Sequence, residues 1–77
     1  MITGMQVRAA KALLNWSGTD LADKAKIGIS TIRRIEGCDG LLPSTSIKTL
    51  EAIKEALEEG GVEFIGTPGH QPGVRLK

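Results

Sequence analysis

The chain has 77 residues, 40% of them hydrophobic and only 3% aromatic, and a formal net charge of +1. That length limits it to one small domain with little room for a catalytic cleft, which needs tight packing, a metal, disulfides or a second copy. One cysteine, Cys38, excludes an internal disulfide, and one histidine, His70, without a cysteine pair argues against a metal cage, so no metal or cofactor is expected.

Thr3 and Gln6 have the spacing of a capping box, in which each side chain satisfies an orphan amide, so a first helix begins there. Val7, Ala10, Leu13 and Leu14 fall on its inner face, and Asn15 and Trp16 end it. Trp16 reads as an anchor for the helix junction. Ser17, with Asp20 three residues on, opens a second helix of about two turns, with Leu21, Ala22 and Ala25 inward. That helix stops near 26–28, where Gly28 supplies a break and an acceptable N-cap for a third.

The third helix is GISTIRRIE, residues 28–36. At about 100° per residue, Ile32 and Ile35 share one side, while Ser30, Arg33 and Arg34 share the opposite one. Ile29 stands at the margin, and Gly37 ends the helix. The stretch CDGLLPSTS reads as a loop, with Leu41 and Leu42 tucked onto the core. A fourth helix starts at one of Ser44, Thr45 or Ser46 and carries an apolar stripe of Ile47, Leu50, Ile53 and Leu57, until Gly60 and Gly61 stop it.

The tail alternates as two strands, VEFI at 62–65 and VRLK at 74–77, with GTPGHQPG as a long loop between them. A lone hairpin is marginal in water, so this one must pack on the helices or pair with another chain. Val62, Phe64, Val74 and Leu76 are its candidate homodimer contacts. The fold expected from these elements is mainly α: a four-helix domain over 1–60 followed by a β-hairpin tail over 61–77.

Two short helices joined by a tight turn, the second displaying polar groups, describe a helix-turn-helix. The segment SGTDLADKAKIGISTIRRIE, residues 17–36, resembles the Cro and lambda-repressor-like helix-turn-helix family of bacterial and phage transcriptional regulators. Leu21-Ala22 matches the pair in the first motif helix, Ile27 the apolar turn residue, Ile32 the core aliphatic of the recognition helix, and Ile35-Glu36 its closing pair. The resemblance spans roughly residues 3 to 60. It departs at Gly18, where many members have glutamine, and at Lys26, where many have glycine in a left-handed turn. It implies a compact domain that binds double-stranded DNA as a homodimer and regulates transcription as a repressor.

Charge agrees with a polyanion-facing side. Residues 1–36 hold six lysines and arginines against three acids, and residues 37–77 hold four against six. Arginine makes two parallel hydrogen bonds to guanine, serine bonds to either base type and an apolar side chain can meet a thymine methyl, so Ile29, Ser30, Arg33 and Arg34 are the base-reading candidates. Arg34 is the first choice for guanine; Arg33 reads a base or holds a phosphate. Ile29 either meets a thymine methyl or is peripheral core. Gly18, Thr19, Lys26 and Thr31 are the phosphate candidates. Glu36 is expected to pair with Arg8.

The competing reading is an antitoxin-like protein-interaction module that uses the hairpin and the acidic fourth helix. An enzyme is not expected: no paired carboxylates, phosphate-cradling loop or activated nucleophile is evident. The apolar runs are too short to span a bilayer and no signal-peptide core opens the chain, which suggests a cytoplasmic protein.

Overall fold

The computed structural model describes residues 2–37, 46–67 and 70–77. Four helices, α1 (Gly4–Leu14), α2 (Gly18–Ala25), α3 (Ile29–Glu36) and α4 (Ile47–Glu59), precede an antiparallel hairpin of β1 (Val62–Thr67) and β2 (His70–Leu76). This is the mainly α, four-helix architecture with a hairpin tail that the sequence pattern predicts. Cys38, Leu41 and Leu42 lie outside the described residues.

Caps set the helix boundaries. The Thr3 hydroxyl accepts from the Gln6 amide and the Gln6 side chain accepts from the Thr3 amide, closing the capping box of α1. Ser17 and Asp20 do the same for α2. The hydrogen bonds from Ser17, helped by Lys24, hold the Asp20 carboxyl below its ordinary 3.8. Ser46 caps α4, accepting from the Thr49 amide, while Gly28 stands at the start of α3 without a side-chain bond.

Both α1 and α2 end on a left-handed residue, Asn15 at φ 58° and Lys26 at φ 58°. Asparagine tolerates that conformation, but a lysine there is strained by about 1 kcal/mol. Lys26→Gly is therefore expected to raise stability by about 0.5–1 kcal/mol, since relief of the strain exceeds the added chain entropy. A urea midpoint that fails to rise would refute the strain.

One hydrophobic cluster holds the elements together: Ile2, Val7, Ala10, Leu21, Ala22, Ile32, Ile35, Leu50, Ile53, Ala56, Leu57 and Val62 are buried. Ile32 and Ile35 are fully buried, each worth about 1.5–3 kcal/mol, and they fix which face of α3 points out. Trp16 is half-buried against this cluster with the Lys24 ammonium 5.1 Å from its ring centroid, an anchor between α1 and α2. Gly60 is needed for space rather than backbone freedom: a Cβ there would stand 2.8 Å from Leu14 Cδ1 and from the Trp16 ring.

Two predicted core positions are exposed. Leu13 is 41% exposed, because α1 turns Val7, Ala10 and Leu14 inward and Leu13 lies a quarter-turn beyond them. Ile47 is 64% exposed, since it opens α4 at the rim of a shallow groove shared with Ile2, Leu50, Glu51 and Lys54.

The hairpin is longer than strand composition alone predicts. Val62 pairs with Leu76, Phe64 with Val74 and Ile65 with Gly73, and pairing continues to Thr67 and His70 across a register shift. The expected long loop over 66–73 is thus mostly strand. Gly66 makes this possible: its φ is +74°, and a Cβ there would stand 2.1 Å from the Gln71 carbonyl oxygen. Gly66→Ala is expected to cost about 2–4 kcal/mol by combining a left-handed penalty with a backbone clash. Thermal melting checks it, and a loss under about 1 kcal/mol would mean that the bulge does not depend on glycine.

Candidate nucleic-acid interface

The outward face of α3 carries Ser30, Arg33 and Arg34, all exposed, opposite the buried Ile32 and Ile35. On a helical wheel the three span about 100°, with Ser30 in the middle. Neither the Arg33 nor the Arg34 side chain has a hydrogen bond or ion pair among the described residues. Both lie in the last turn of α3, where the negative helix end favours a cation.

The nearby cations of α1 are engaged. Lys11 pairs with the Glu36 carboxylate, and Arg8 donates to the Glu36 backbone carbonyl. The expected tie between Arg8 and Glu36 thus exists through the main chain, and Lys11 is a partner that sequence reasoning missed. These contacts clamp the end of α3 against α1 and fix the direction in which its outer face points.

Ile29 and Glu36 share one flank of α3, and both close over the start of α2. Built on Gly18, a Cβ would lie 3.4 Å from Glu36 Oε2, 3.5 Å from Ile29 Cδ1 and 3.8 Å from Lys11 Nζ. A long side chain at 18 would run into all three. Ile29 is half-buried and packed against the core, on the flank of α3.

The phosphate candidates are spread over three places. Thr31 is half-buried on the flank of α3 opposite Glu36. Gly18 and Thr19 begin α2, and their amides have no partner among the described residues. Asp20 sits at that same helix end, so its carboxylate opposes an incoming phosphate there. Lys26 lines a groove between α2 and α4 with Lys24, Ala52, Glu55 and Glu59. That acidic neighbourhood sets it apart from Ser30, Arg33 and Arg34.

The hairpin residues expected as dimer contacts are largely spent inside the domain. Val62 is fully buried, and Phe64 and Val74 are packed against the core; Leu76 alone of the four is mostly exposed, at 55%. The reason is that the hairpin's apolar face covers the helices, closing a core that four short helices leave open. Its outer face carries the ion pair of Glu63 with Arg75.

No helix among the described residues is long and apolar enough to cross a membrane. No protein-family model matches the chain, and comparison with curated proteins gives no match.

Proposed function

We propose that the chain is a sequence-specific DNA-binding regulator of transcription, of the lambda-repressor-like kind, which acts as a repressor by occupying an operator. The observation that carries this reading is the outward face of α3, where two arginines, unpaired among the described residues, flank Ser30. A major groove is wide enough for one helix, and guanine offers each arginine two acceptors in the right geometry. The amides of Gly18 and Thr19 and the Thr31 hydroxyl are the phosphate ligands of this reading. Ile29, packed against the core, and Lys26, beside Glu55 and Glu59, are left out of the DNA contacts of this reading. A cytoplasmic location goes with it.

The test is a binding selection from random DNA duplexes at low salt. Enrichment of one sequence is expected, with an inverted repeat at about 34 Å if two copies bind together. Binding should weaken steeply with salt, with a log–log slope of about −0.9 per phosphate neutralised. No enrichment at low salt would overturn the reading.

A further inference from the structure

We infer that the solvent face of α1 is a self-association surface for a second copy of this chain. The four exposed residues of α1 are Met5, Ala9, Ala12 and Leu13. They fall in one arc of about 100° on the helical wheel. Met5 is 48% and Leu13 41% exposed, large values for apolar side chains. Every other helix turns charge to solvent among its described residues: Asp20, Asp23 and Lys24 on α2, the arginines on α3, and Lys48, Glu51, Glu55 and Glu59 on α4. On α1 the charged residues are drawn aside, because Arg8 and Lys11 both reach to Glu36.

The occupant follows from the pattern. Met5, Ala9 and Leu13 make a row at steps of four, large at both ends and small in the middle. A two-fold axis through Ala9 sets two such helices antiparallel, with Met5 against Leu13 of the second copy and alanine against alanine at the crossing. Small residues at the centre let the helices approach closely, and the self-complementary row meets the requirement of an isologous contact. A face without charge offers nothing to select a charged partner. With a chain net charge of only +1, long-range repulsion between copies is slight.

The surface also predicts a strength. Two half-exposed side chains and two alanines cover far less than the about 800 Å2 per partner of a standard interface. Pairing through it alone is weak, in the range of about 0.1–1 mM. The Glu36 clamp lies on one flank of α1 and the hairpin on the other, so pairing here leaves the outer face of α3 open. This surface does not depend on the DNA-binding reading and replaces the hairpin face, which is occupied.

Sedimentation of the full chain without DNA, from about 10 μM to about 1 mM, tests it. The expected result is a rise from monomer toward dimer. Leu13→Glu and Met5→Lys should each raise the dissociation constant at least about tenfold with unchanged melting, since both sites are exposed. Leu76→Glu, on the hairpin, should leave the dimer intact. A wild type that stays monomeric to the highest concentration overturns the inference. So does a dimer that survives both α1 variants, or one that Leu76→Glu dissolves.

Discussion

Gln6→Leu should remove about 2–4 kcal/mol of stability, more than most single substitutions in a domain this size. Gln6 is 4% exposed and holds two elements at once. Its Oε1 accepts from the Thr3 amide at 2.8 Å, completing the capping box. Its Nε2 donates to the Gly73 carbonyl at 3.0 Å and, at longer range, to the Ile65 carbonyl at 3.5 Å. Loss of a cap costs about 1 kcal/mol. The Gly73 carbonyl, part-buried and left without its donor, adds about 1–3 kcal/mol to the extent that water is kept from it. Leucine brings back some apolar packing, but nothing for the Thr3 amide or the Gly73 carbonyl. A shift in melting temperature of about 10–25 °C corresponds to that sum in a domain of this length. Gln6→Glu separates the two tasks. Glutamate serves a capping box as well as glutamine does, so a residue that only caps would tolerate the change. Here the carboxylate would face two carbonyl oxygens with no proton to give, and at neutral pH most of the loss should remain. Faster amide exchange confined to the hairpin in Gln6→Glu is the expected signature. A Gln6→Glu protein as stable as the wild type would mean that the link to the hairpin contributes nothing.

That double role also marks the limit of what the sequence reveals. Capping at Thr3 and Ser17 is legible because a cap is decided within three residues. The same Gln6 reaches carbonyls 59 and 67 positions away, and no local pattern announces those partners. Leu13 and Leu14 are adjacent apolar residues on a helix with apolar residues all round its exposed arc, so only the position of the other elements decides between them. The full length of the strands is hidden because Gly66, Pro72 and Gly73 have the composition of a loop, whereas a left-handed Gly66 carries the pairing through a bulge. On the candidate interface, the face of Ser30, Arg33 and Arg34 follows from helical period alone, since two isoleucines fix the opposite side. The closure of Ile29 over Gly18 depends on how α2 crosses α3, and the direction of Lys26 depends on α4.

Arg33→Ala/Arg34→Ala is expected to weaken binding to the selected DNA sequence by about a hundredfold or more, because each bidentate pair with a base is worth about 1–3 kcal/mol. Folding should hardly change. Both side chains are exposed and unpaired among the described residues, and the favourable charge at the end of α3 is worth at most about 1 kcal/mol. The double variant therefore separates interface from scaffold, and weaker binding accompanied by a collapsed melting temperature would point to the scaffold. Arg33→Lys/Arg34→Lys isolates the chemistry. Lysine keeps the charge but not the planar fork, so non-specific affinity and the salt slope should persist while preference for the selected sequence falls. Single variants then divide the two roles. If Arg34 reads guanine, Arg34→Ala relaxes the preference at one base position. If Arg33 holds phosphate, Arg33→Ala weakens all sequences alike and reduces the salt slope by about one. The two residues lie on either side of Ser30, at about 60° and about 40° on the helical wheel, and both side chains are exposed, so the fold itself favours neither as the reader. Lysine variants that retain full sequence preference would show that α3 contributes charge but no base recognition.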